Sequence, residues 1–139
     1  MKIVFADTGY WVAVLNPKDD WNTRANEVSR SLGKVRIVTT EMVLAELLAA
    51  LSKVSVRPMA VQGVESICTD PNIEVVPQTS LQFGEAFATY KRMVDKEWSL
   101  TDCASFEAMR SRGISEALAH DHHFEQAGFR ALLREDADP

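Results

Sequence analysis

Cysteine is scarce in this chain: Cys68 and Cys103 are the only two. Neither belongs to a Cys-x-x-Cys pair, which argues against a disulfide framework and against a zinc knuckle. Both lie in apolar, helix-like stretches and are expected as buried free thiols in a reducing compartment. Long apolar runs are missing too, and nothing reaches the length of a membrane span. Lys2 followed by Ile3-Val4-Phe5-Ala6 starts like a signal peptide, but Asp7 ends the run early, so a cytoplasmic location is expected. Positive charge is also in deficit. Lys and Arg number 15 against 20 Asp and Glu, a net charge of −5. That argues against a surface that broadly coats nucleic acid. It does not exclude a nuclease, because a carboxylate site adds negative charge locally and its metal ions reverse the field a phosphate meets.

What is present is an ordinary globular balance, 46% hydrophobic and 25% charged over 139 residues. This fits one domain with a real core, expected over residues 1–134, followed by an acidic, loose tail at 135–139. Met1 to Ala6 is a non-alternating run of β-formers, the pattern of a strand buried on both faces. A short helix over 8–15 stops before Asn16-Pro17. Asp19 or Asp20 is placed to cap a helix over 21–32 that ends at Gly33. Residues 35–39 read as a second strand, after which Thr39 or Thr40 caps a long apolar helix over 41–54. Pro58 suits the first turn of a helix to about Cys68. A third strand over 73–76 precedes helices over 80–95 and 99–112. Residues 115–119 form a short strand, a helical turn follows Asp121, and a last strand lies near 129–132. Alternating helices and short buried strands indicate an α/β domain with a mainly parallel sheet.

Ligands of such sheets gather beyond the carboxyl ends of the strands. Asp7 directly follows the first strand and Asp121 closely follows the strand near 116–119. Glu46 sits within Met42-Val43-Leu44-Ala45-Glu46-Leu47-Leu48-Ala49-Ala50-Leu51, apolar nearly all round, as expected of an enclosed helix. A lone carboxylate there needs a partner, a proton or a metal; the bland alternative is a solvent-facing Glu46 paired with Lys53. Asp102, three residues after Ser99, resembles a capping box, and Asp7 and Asp121 can likewise be N-caps. Taken together, the four acids suit Mg²⁺ or Mn²⁺, hard cations that prefer oxygen ligands. Without a cation such a cluster repels itself or shares protons.

Four strings resemble the PIN-domain family across nearly the whole chain. Ile3-Val4-Phe5-Ala6-Asp7-Thr8 is similar to its first strand, and Thr40-Glu41-Met42-Val43-Leu44-Ala45-Glu46-Leu47 to its second motif. Ser99-Leu100-Thr101-Asp102-Cys103-Ala104-Ser105-Phe106 is similar to the third and is the most specific. Asp121-His122-His123-Phe124-Glu125-Gln126-Ala127-Gly128-Phe129 is similar to the terminal motif. The resemblance implies a three-layer α/β/α fold with sheet order 3-2-1-4-5, RNA as substrate, Mg²⁺ or Mn²⁺ as cofactor and a homodimer. Asp7, Glu46 and Asp102 would be the metal-binding core, Asp121 the fourth, more variable acid, and Thr8 and Thr101 supporting hydroxyls. Many bacterial members that resemble this chain are toxins of VapC-type toxin–antitoxin pairs, which adds an antitoxin as partner. Many relatives carry threonine two residues before the fourth acid; here it is Ala119.

His120, His122 and His123 form a second cluster. Neighbours in a loop are expected to point apart, so surface placement or hydrogen bonding to the fourth acid is favoured over metal ligation. Trp11, Trp21 and Trp98 could stack bases, though such residues more often fill a core. Arg24, Arg30, Lys91, Arg92, Lys96, Arg110 and Arg112 are scattered, most on solvated faces. Folds that transfer phosphoryl groups through a strand-one Asp carry a second Asp two residues later, and Asp7-Thr8-Gly9 does not. Receiver domains need an acidic pair at that strand end and a late lysine, and neither fits. The alternative outside enzymes is a PIN-like module that binds RNA or protein with little turnover.

Overall fold

Five short strands, all parallel, carry the molecule in the order β3-β2-β1-β4-β5. They are β1 (Lys2–Ala6), β2 (Val35–Thr40), β3 (Ile73–Val76), β4 (Glu116–Leu118) and β5 (Arg130–Ala131). The computed structural model describes residues 1–134, and the expected tail at 135–139 lies outside them. Helices on both faces make the three-layer α/β/α sandwich that the alternating pattern and the resemblance imply. Val4, Phe5 and Ala6 are fully buried, as a central strand covered on both sides requires.

The helices are α1 (Thr8–Leu15), α2 (Asn22–Leu32), α3 (Glu41–Ala50), α4 (Arg57–Thr69), α5 (Ser80–Arg92), α6 (Leu100–Ser111) and α7 (His122–Gln126). Thr40 starts α3 by accepting the Val43 amide on Oγ1 at 3.0 Å. Among the described residues no helix is long and apolar enough to cross a membrane.

Several expectations need correction. The α2 helix begins after Trp21 with no side-chain cap. Asp19 instead accepts the Trp21 amide at 2.9 Å and shapes the turn before it, a local bond that aspartate makes readily in turns. The α3 helix stops at Ala50 rather than 54, and α5 at Arg92 rather than 95. Nor is α3 enclosed: Met42, Val43, Leu44 and Leu47 are buried, but Leu48 is 41% exposed and Ala45, Glu46, Ala49 and Ala50 face solvent. Alanines make an exposed strip look apolar in sequence, which is why the hydrophobic pattern misled. Cys103 is buried as expected, whereas Cys68 is exposed on α4.

Candidate active site

The chain leaves β1 at Asp7, whose amide donates to the Leu118 carbonyl at 3.1 Å and so ties the ends of β1 and β4 together. Asp7 is the N-cap residue of α1 by position, but its carboxylate makes no capping bond. The side chain is 7% exposed. Burial drives its pKa from 3.8 up to about 8, and Asp102, Glu46 and Asp121 each add to the rise while the Thr8 amide opposes it. Asp102, Glu46 and Asp121 therefore all act on Asp7 at the carboxyl rim of the sheet.

Glu46 reaches this rim from α3. Its Oε1 accepts the Thr8 hydroxyl at 2.6 Å, which joins the residue after Asp7 to the α3 acid. Glu46 does face solvent, but among the described residues it makes no ion pair with Lys53. Beneath it the buried Thr39 hydroxyl donates to the Ala6 carbonyl at 2.9 Å and accepts the Trp11 indole N–H at 3.3 Å. These bonds lock β1, β2 and α1 under the site.

Asp102 has a double role. It closes the expected capping box, with its amide on Ser99 Oγ at 3.0 Å and its Oδ2 accepting the Ser99 amide at 3.1 Å. The same Oδ2 accepts His123 Nδ1–H at 3.0 Å. Burial raises its pKa; the Ser99 amide lowers it, Asp121 raises it, and the His123 hydrogen bond lowers it. Thr101 contributes its carbonyl to the Ser105 hydroxyl at 2.9 Å; among the described residues no hydrogen bond brings its own hydroxyl to the acids.

Asp121 caps α7 by accepting the His123 amide on Oδ1 at 2.9 Å. His123 Nδ1 lies 3.2 Å from the same oxygen and thus bridges Asp121 and Asp102. Ala119 is fully buried, so Asp121 is oriented by α7 and by His123, not by a hydroxyl at 119. His120 takes a different path: its ring stacks on Trp21 at 4.6 Å and 6°. A Cβ on Gly9 would collide with His120 Nε2, so glycine two residues after Asp7 lets α1 approach the β4–α7 loop. Sequence reasoning missed this role of Gly9, for which the string Asp7-Thr8-Gly9 was the available signal. Trp11 and Trp98 are core residues. Arg110 and Arg112 pair with Glu107 and Glu74.

An all-oxygen set of carboxylates, one of them pushed to about 8 by burial and its neighbours, is a donor set that fits a hard divalent cation. Comparison with known families matches residues 4–130 to the PIN domain. The chain belongs to the PIN-domain family. Among its relatives is the 23S rRNA-specific endonuclease VapC20 of Mycobacterium tuberculosis, 30% identical over 127 residues, which are 91% of this chain and 95% of that protein. The crystal structure of M. tuberculosis VapC20, described as a Sarcin-Ricin loop cleaving toxin, superposes with a TM-score of 0.83 at 29% identity over 92% of this chain and 97% of that one. VapBC2 from Rickettsia felis, solved bound to a DNA fragment from its promoter, shares the PIN fold at a TM-score of 0.62 and 14% identity over 92% of this chain and 96% of that one.

Proposed function

We propose that this PIN domain is a divalent-metal-dependent endoribonuclease, the toxin of a type II toxin–antitoxin pair acting in the cytoplasm. The observation that carries the reading is the meeting of Glu46, Asp102 and Asp121 around Asp7 at one rim, on a chain similar over 127 residues to a 23S rRNA-specific endonuclease. Asp7, Glu46, Asp102 and Asp121 would hold Mg²⁺ or Mn²⁺. Such an ion polarises the phosphodiester and lowers the pKa of an attacking water. Thr8 holds Glu46 in place through its hydroxyl, and His123 holds Asp102 and Asp121. The resemblance to VapC20 supports structured ribosomal RNA as the first substrate to test, and a cognate antitoxin as partner. A homodimer is part of the same reading.

The test is cleavage of total cellular RNA with sequencing of the new 5′ ends. Mn²⁺ should support cleavage and EDTA should stop it. Asp7→Asn and Asp102→Asn should each lower the rate at least 100-fold while circular dichroism shows a native fold. Full cleavage by both folded variants sinks the assignment. RNA binding without cleavage by the wild type favours the low-turnover binding module.

A further inference from the structure

Two adjacent histidines on a loop are expected to diverge, and here they do not. Asp121 is the N-cap of α7, and His122 and His123 occupy its first two helical positions. Because the Asp121 carboxylate folds over the helix start to accept the His123 amide, both imidazoles meet it. His122 Nδ1 lies 3.6 Å and His123 Nδ1 3.2 Å from Asp121 Oδ1. The rings are 4.5 Å apart and tilted by 52°. One ligand atom from each of the three residues falls within 4.8 Å of the others.

The two distances to Asp121 Oδ1, 3.6 and 3.2 Å, bracket the ligand spacing of a coordination polyhedron. Ligands around a tetrahedral ion with bonds of about 2.0–2.1 Å sit roughly 3.4 Å apart. The donor set is also distinct from that of the acid cluster. Two imidazoles and one carboxylate suit a borderline cation such as Zn²⁺, whereas Mg²⁺ has little affinity for imidazole. Space for a fourth ligand is available, since both histidines line a polar cleft of about 190 Å³ with Asp95, Lys96, Glu97 and Gln126. One water needs roughly 30 Å³. Lys96 is turned to Asp95 at 3.1 Å, which neutralises part of the only cationic side chain on the cleft wall. The helix that starts here has only five residues, so its dipole opposes a cation weakly.

We propose that Asp121, His122 and His123 form a second metal site, for Zn²⁺ or a similar borderline cation, which shares Asp121 with the acid cluster and inhibits the nuclease when filled. Filling it commits Asp121 to the nitrogen side and takes His123 Nδ1 from Asp102. The inhibition rests on the nuclease reading above; the binding does not.

Cobalt(II) is the probe, because its visible bands report coordination without any need for activity. Wild type and Asp7→Asn should each show bands that one equivalent of Zn²⁺ removes. His122→Ala should bind Zn²⁺ at least tenfold more weakly; the wild-type His122 side chain is 59% exposed, so its loss leaves the fold intact. With saturating Mn²⁺, micromolar Zn²⁺ should slow RNA cleavage by the wild type, and His122→Ala should need at least tenfold more Zn²⁺ for the same slowing. Zn²⁺ affinity unchanged in His122→Ala, or cobalt bands lost in Asp7→Asn, overturns the site. Equal Zn²⁺ inhibition of wild type and His122→Ala overturns the regulatory role. A chain that cleaves no RNA refutes the nuclease reading, while the cobalt spectra still decide the site.

Discussion

Replacing Asp7 by asparagine should make the protein more stable and less active at once. With a pKa of about 8 in the folded chain against 3.8 for a free carboxyl, Asp7 binds a proton in the native state that the unfolded state has lost. Its contribution to stability is complete below about pH 4 and is lost as pH rises towards 8. At pH 7 the cost integrates to about 4 kcal/mol at 1.36 kcal/mol per unit. Relaxation around the group and partial wetting reduce this, so about 1.5–4 kcal/mol is the expected gain in Asp7→Asn. For a domain of this size each kcal/mol is worth roughly 3–4 °C, which puts the rise in Tm at about 5–15 °C.

The assay is thermal unfolding by circular dichroism between pH 5 and 8.5, in EDTA and in excess Mn²⁺. In EDTA the wild type should melt progressively lower as pH rises. Asp7→Asn should lose most of that slope and keep the part due to Asp102, whose raised pKa acts in the same direction. Added Mn²⁺ should narrow the gap between the two proteins, because a cation among the carboxylates stabilises their charged forms. At 100 times its Kd an ion adds about 2.7 kcal/mol, and Asp7→Asn should gain clearly less. Parallel pH profiles for the two proteins in EDTA, with Asp7→Asn no more stable, would refute the buried, mutually repelling cluster.

Glu46→Gln keeps the Thr8 contact in shape and lies on the exposed strip of α3, so its Tm in EDTA should move by less than about 2 °C. Its Mn²⁺ affinity, read by calorimetry, should fall at least tenfold, and an unchanged affinity removes Glu46 from the site. Gly9→Ala drives a methyl group into the His120 ring and should cost about 1–3 kcal/mol by overpacking; denaturant unfolding with an unaltered midpoint would contradict the close approach. Leu48 on α3 and Phe83 and Phe87 on α5 are large apolar side chains left exposed, and the proposed homodimer can be tested directly. Sedimentation at micromolar concentration should show a two-chain species, and only monomer would count decisively against it.

The parallel sheet was legible because its central strands are unbroken runs of β-formers closed by Asp7 and by Thr39-Thr40. Periodicity and turn chemistry located every helix, though not every end. Helix α3 shows where this fails. Leu48 and the three alanines of its outer face read as core, so the inference that Glu46 is a carboxylate trapped in an apolar helix began from a premise the fold does not meet. What brings Glu46 to the rim is the Thr8 hydroxyl, a contact 38 residues away that no local pattern encodes. His123 was hidden for a related reason. Its two carboxylate partners are Asp121, nearby in the chain, and Asp102, 21 residues earlier, and only the second reveals that it ties the cluster together.

The acids differ in how their charge is held, and the difference follows from where each sits on its helix. Asp121 is an N-cap whose oxygen accepts a backbone amide, and Asp102 accepts the Ser99 amide within its capping box. Both also face His123. For Asp102 the Ser99 and His123 bonds oppose a larger lift from burial, and for Asp121 the amide bond fixes the direction of the carboxylate. Asp7 opens a helix as well, but its carboxylate makes no capping bond, and burial together with three acidic neighbours raises its pKa. The fold thus orients two of the acids through backbone amides and leaves Asp7, lifted to about 8, as the one that most needs a cation beside it to ionise near neutral pH. Metal affinity should therefore be most sensitive to pH through Asp7. In Asp7→Asn the Mn²⁺ affinity should be weaker and should change less between pH 6 and 8 than in the wild type. An equally steep pH dependence in the two proteins would assign the proton to a different group.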